Sequence, residues 1–163
     1  MSVMKTPSLP ATGGCQCGAL RFRVDKAPLI TAVCHCRDCQ RMTAAPYSTT
    51  AMIPTDGFTI TAGDPTRGGL GTGERKHFHC PKCMALVFTR VAPREDMFVN
   101  VRATLFDDPS WFSPFVETFT NAQFPWATTG APHSFPEFPE IPEFMTLVAA
   151  YAAATAPDAT KET

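Results

Sequence analysis

Apolar runs are short throughout this chain, and none approaches the roughly 20 consecutive residues that a membrane-spanning helix needs. The opening residues, MSVMKTPSLPATGG, carry one lysine and two prolines but no apolar segment of the kind a secretory signal contains. An excess of positive charge is missing too. The 14 Lys and Arg against 15 Asp and Glu leave a formal charge of -1, which offers no overall attraction to a phosphate backbone or an anionic lipid surface. These absences argue against membrane and nucleic-acid partners and lead us to expect a cytoplasmic protein. Internal repeats and interdomain linkers are also lacking, and 163 residues suit a single domain.

Helical periodicity is scarce. From residue 13 to 125 no segment sustains a 3.6-residue apolar repeat, and the nearest candidate, CRDCQRMTA, predicts only one or two helical turns. Alternating short segments are plentiful instead: LRFRV (20–24), STTAMI (48–53), FTITAG (58–63), ERKHFHC (74–80), LVFTRV (86–91) and MFVNVRAT (97–104). They are rich in Phe, Thr, Val and Ile and bounded by turn formers such as PTDG and AGDPTRGG, so the chain reads as mainly antiparallel β. Residues 107–143 are dense in Phe, Trp and Pro, which excludes long helices and predicts extended chain packed over a β surface. Phe144 to Ala154 forms a candidate terminal helix. This gives a flexible tail at 1–12, a β domain at 13–144, and a short helix with a disordered tail at 145–163.

Cysteine is what the sequence has in quantity. Seven residues fall in three tight clusters, Cys15 and Cys17, then Cys34, Cys36 and Cys39, then Cys80 and Cys83. Adjacent CxC pairs and an odd total fit a disulfide framework badly. Thiolates two to three residues apart can converge on zinc. The simplest account is two Zn2+ ions per chain, one held by four thiolates and one by three. The CxxC at Cys80 and Cys83 needs a second pair, which Cys15 and Cys17 can supply from a Gly-flanked turn, giving a closed structural site. Cys34, Cys36 and Cys39 then remain as a three-ligand set whose open position can polarise a carbonyl or hold a thiolate or water. In the competing readings His35, His77, His79 or a carboxylate closes that second site, or the trio carries no metal at rest.

The order CxCG, then CHCxxCQR, then CPxC resembles the glutathione-dependent formaldehyde-activating enzyme family, to which centromere protein V also belongs. The similarity runs over about residues 13–127 and includes all seven cysteines. It implies a zinc-containing β-tent of antiparallel sheets, a structural zinc on Cys15, Cys17, Cys80 and Cys83, and a catalytic zinc on Cys34, Cys36 and Cys39. It further implies a carbon-sulfur lyase resembling S-(hydroxymethyl)glutathione synthase, which joins or cleaves a small-molecule thiol such as glutathione and formaldehyde or a related electrophile. The alternative is a non-enzymatic zinc-binding interaction module. Monomer and homodimer both fit.

The chain departs from the family pattern at three places. Thr43-Ala44 stands where Thr-Gly or Ser-Gly is common, Met84 stands where Gly usually follows CPxC, and Glu117-Thr118-Phe119 stands where His-Ile-Phe is frequent. Met in place of Gly adds bulk and removes an easy left-handed turn. Arg37, Asp38 and Arg41 flank the trio, where an arginine suits a peptide carboxylate and equally forms a solvated rim. His35 must point away from an ion shared by Cys34 and Cys36. His77 and His79 share one strand face and read as core or surface histidines. Trp111, Phe112, Phe115, Phe119, Phe124 and Trp126 read as core and lid, with Phe119 and Trp126 as candidates to line the pocket.

Overall fold

The computed structural model describes residues 4–70 and 73–156. In chain order it contains β1 (Ala11–Gly14), β2 (Arg21–Val24), β3 (Ile30–Cys34), α1 (Arg37–Thr43), β4 (Ser48–Pro54), β5 (Phe58–Ala62), β6 (Thr66–Gly68), β7 (Arg75–His79), β8 (Leu86–Val91), β9 (Phe98–Val101), β10 (Val116–Thr118), β11 (His133–Ser134) and α2 (Ile141–Ala154). The protein is thus mainly β, with one helix of two turns among the cysteines and one near the C-terminus. Neither helix is long and apolar enough to cross a membrane.

Two sheets form. A three-stranded sheet has the order β1-β2-β5, and an eight-stranded sheet runs β11-β10-β3-β4-β9-β8-β7-β6. Alternation explains how they pack: β2 buries Phe22 and Val24 and leaves Arg23 exposed, and β9 buries Val99 and Val101. Between the sheets lies the larger core, with Leu20, Phe22, Val24, Ile53, Phe58, Val87, Phe88, Val99, Val101, Phe106 and Trp111. Phe22 meets Phe106 edge-on at 5.2 Å, and Phe106 meets Trp111 in the same way at 5.2 Å. Gly13 lets residues 105–106 lie against β1, since a Cβ there would lie 2.3 Å from the Phe22 ring and 2.4 Å from the Leu105 carbonyl oxygen. Close packing, not a turn, is therefore what this glycine serves.

The strand pairings are antiparallel, as expected, except at β10. It runs parallel to both neighbours, with Glu117 opposite Val33 and Thr118 opposite Cys34 on one side and Val116 opposite His133 on the other. Residues 102–115 approach β10 by a long connection, so no hairpin turn dictates its direction. The Phe- and Pro-rich segment supplies these extra strands, and between them it holds turns and a short 3-10 turn at Thr120–Ala122 rather than extended chain throughout. α2 starts at Ile141, ahead of the expected Phe144, because Pro142 in the first turn lacks only an N–H that has no helical partner there. It buries Phe144, Leu147 and Tyr151 against Ile30, Phe115 and Val116 in a second core. Ala11 and Thr12, expected in the tail, belong to β1, and Met4 packs on this second core. Of the stretch read as a disordered C-terminal tail, residues 157–163 lie outside the described residues.

Candidate metal centres

Two backbone turns build the four-cysteine cluster in the same way. The Cys15 N–H donates to the Leu20 carbonyl at 2.9 Å, and the Cys80 N–H donates to the Ala85 carbonyl at 3.0 Å. In each turn the residue after the second cysteine is left-handed: Gly18 has φ 76° and Met84 has φ 60°. Met84 therefore keeps the backbone conformation a glycine would take, contrary to the expectation that its bulk removes the turn. The Leu20 N–H also donates to Cys15 Sγ at 3.2 Å.

Sulfur spacing tests the fit of a metal. Cys15 and Cys17 Sγ are 3.6 Å apart and Cys17 and Cys80 Sγ are 3.8 Å apart. Tetrahedral thiolates at a zinc-sulfur distance of about 2.3 Å sit roughly 3.8 Å from one another. All four sulfurs of Cys15, Cys17, Cys80 and Cys83 lie within 4.8 Å of each other, and the cluster could hold a metal ion. Burial opposes charge on Cys15, yet the Leu20 N–H and the surrounding thiols outweigh it and bring its pKa down to about 6.

The second cluster forms where β3 passes into α1. Cys34 is the last residue of β3, Cys36 caps the helix with Sγ accepting from the Cys39 N–H at 3.4 Å, and Cys39 lies in the first turn. Their three sulfurs also fall within 4.8 Å of each other and could hold a metal. Cys39 is the most acidic thiol of the three, pushed down to about 5 chiefly by the Cys34 thiol donating to it, against burial, with further help from Ser48, Cys36 and the field of Arg102. The shared proton drives Cys34 the other way, well above the usual thiol range. Cys36 is raised by burial.

His35 points away from the sulfurs, as its place between two cysteines predicts. It is fully buried, its Nε2 donates to Glu117 Oε2 at 3.2 Å, and its ring meets Tyr47 edge-on at 5.3 Å. Glu117 also accepts from Thr129 Oγ1 at 2.6 Å and from Ser134. Burial would raise this carboxyl, but the Ser134, Thr129 and His35 hydrogen bonds together hold it below the usual range. Gln40 fastens the other side, its Nε2 donating to the carbonyls of His35 at 2.7 Å and Ala122 at 3.0 Å.

The remaining candidates divide. At roughly 100° per residue, Arg37, Gln40, Arg41 and Ala44 share a face of α1 that Cys39 does not. With Phe124 and Trp126 they line a groove of about 340 Å3 on that other side. Trp126 stacks on Phe124 at 5.5 Å and is 72% exposed, whereas Trp111 and Phe115 are core. Asp38 is exposed. Phe119 is half-buried with φ 58°. His77 Nδ1 is 2.9 Å from Thr89 Oγ1, and His79 is half-buried; neither joins a metal-binding group among the described residues. Sequence reasoning missed Ser48, opposite Cys34 in the sheet, and Arg102, although the alternation in FVNVR does place Arg102 on the face away from the core. Glu117 was noted only as a missing histidine; its contact with His35 depends on a parallel pairing that no local pattern announces.

Comparison with known proteins agrees with the cysteine pattern. No curated protein sequence matches the chain. A crystal structure of a Rhodobacter sphaeroides protein, a Northeast Structural Genomics target, is similar at 20% identity and TM-score 0.48, covering 59% of this chain and 87% of that one. Residues 10–122, which include all seven cysteines, match the description "glutathione-dependent formaldehyde-activating enzyme", and the chain belongs to that family.

Proposed function

We propose that the protein is a zinc enzyme of the carbon-sulfur lyase type, resembling S-(hydroxymethyl)glutathione synthase. It joins a small thiol such as glutathione to formaldehyde or another small electrophile, or cleaves that adduct. One Zn2+ on Cys15, Cys17, Cys80 and Cys83 is structural, and a second on Cys34, Cys36 and Cys39 is catalytic. The observation that carries this reading is the contrast between the clusters: four sulfurs converge in one and three in the other, while the histidine within the trio's sequence, His35, is committed to Glu117.

When bound at three thiolates, zinc supplies Lewis acidity that favours a deprotonated thiol and polarises an aldehyde oxygen. The chain itself fixes the donors. Gln40 and Glu117 clamp the CHC turn through the carbonyl and the ring of His35, so Cys34 and Cys36 are held from both sides. In the forward reaction the C–S bond forms, the C=O π bond becomes C–O–H, and the thiol proton ends on that oxygen, so no oxidant is consumed. A near-neutral chain with a small-molecule thiol as substrate fits a cytoplasmic enzyme without nucleic-acid or membrane partners.

Metal analysis together with the rate of adduct formation above the uncatalysed rate tests this reading. The wild type should carry about two zinc ions, and Cys36→Ser about one. Cys36→Ser should also lose the excess rate while keeping its fold. An unchanged rate in that variant contradicts the assignment and favours the non-enzymatic zinc module.

A further inference from the structure

Arg102 is a buried cation without an acidic partner. It is 8% exposed, and among the described residues no carboxylate lies within ion-pair distance of it. Its Nη2 donates to Thr89 Oγ1 at 3.1 Å, while Nε is buried with no hydrogen-bond partner among the described residues. Taking a guanidinium out of water is costly unless a nearby anion offsets the loss of hydration.

Sheet register puts the cysteine trio on the face from which Arg102 projects. Central strand β4 pairs Ser48 with Cys34 on one side and Ala51 with Val101 on the other. Ala51 and Val101 face the core, so by strand alternation Ser48, Cys34 and Arg102 project from the opposite face, within two strands of each other. Three thiolates around a divalent ion carry a net charge of about -1, and one guanidinium neutralises the assembly.

We propose that Arg102 is the counter-cation of the cysteine trio, a positioning residue that keeps three thiolates together for a divalent metal. This rests on the reading of Cys34, Cys36 and Cys39 as a metal site and adds a residue outside the ligand set. Thr89 holds the guanidinium through Nη2, and the buried Nε–H has no hydrogen-bond partner among the described residues.

The test uses the full chain with Co2+ as probe, read by thiolate-to-cobalt charge-transfer absorption and by competition with a chromophoric chelator. In wild type both clusters should load; no binding at the trio overturns the underlying reading. In Arg102→Met the trio should bind about 10–100-fold more weakly, the loss typical of an outer partner of a metal site, while the four-cysteine site is unchanged. Arg102→Lys, which keeps the charge, should recover most of the affinity. Equal trio affinity in Arg102→Met and wild type overturns the proposal, and so does an equal loss in Met and Lys, since that reports packing alone. Should Arg102→Met not fold, Arg102→Gln against Arg102→Lys gives the same comparison of charge.

Discussion

The left-handed backbone at Ala44 and Met84 offers a quantitative test of the fold around both clusters. Ala44 closes α1 with φ 50°, and Met84 closes the CPKC turn with φ 60°. A side chain in this region costs roughly 1–2 kcal/mol through its Cβ. Glycine removes that cost but gains freedom in the unfolded chain, which returns roughly 0.4–1 kcal/mol. Little packing is lost, since Met84 is 59% exposed and Ala44 contributes one methyl to an open groove. Ala44→Gly and Met84→Gly should therefore each stabilise the metal-loaded protein by about 0.5–1 kcal/mol, and the double variant should melt about 3–6 °C higher for a chain of this size. Calorimetry or denaturant unfolding measures this, with Met84→Ala as control. Alanine keeps the strained Cβ and should bring no gain. Glycine variants no more stable than wild type, or a Met84→Ala variant as stable as Met84→Gly, would refute the reasoning.

Two further outcomes follow from the site. Glu117→Gln should destabilise the protein by about 1–3 kcal/mol at neutral pH, because an amide cannot accept all three hydrogen bonds in the buried site. The Glu117 carboxyl is held below its unfolded value, so its contribution is present above the ordinary carboxylate range and lost as pH falls through the depressed pKa. The difference between wild type and Glu117→Gln should accordingly shrink in acid, and a gap that widens as pH falls would contradict the hydrogen-bonding scheme. A graded chelator titration followed by circular dichroism should remove metal from Cys34, Cys36 and Cys39 first with little loss of structure. Unfolding should follow only when Cys15, Cys17, Cys80 and Cys83 are stripped, because that cluster ties the turn after β1 to the turn after β7.

The parts of this molecule that were legible in the sequence are those with local signatures. Strands β2, β4, β5, β7, β8 and β9 carry the alternation of a half-buried surface, and the cysteine clusters carry metal-ligand spacing whatever the fold around them. The strands that local patterns did not reveal lack that alternation. β1 is half glycine, β3 is a largely buried run, ITAVC, β6 and β11 are three and two residues long, and β10 lies in a Pro- and Phe-rich segment that arrives by a long connection. Because β10 was hidden, so was the contact of Glu117 with His35. The role of residue 117 becomes visible only once the parallel register brings it beside Val33. Arg102 was hidden for a different reason: one arginine in an alternating strand looks like a solvated face, and only the tertiary structure shows it buried with no carboxylate partner among the described residues. Met84 and Ala44 marked departures from the family pattern, yet the backbone there adopts the conformation the missing glycines would have taken.

The central claim, that seven cysteines form one closed and one open zinc site, is tested most directly by an anomalous-difference map at the zinc edge from crystals of the metal-loaded protein. Two peaks are predicted. One should lie among Cys15, Cys17, Cys80 and Cys83, and the other should be bonded to Cys34, Cys36 and Cys39 with a non-protein fourth ligand. A trio without a peak, or a second ion closed by a protein side chain, would contradict the account.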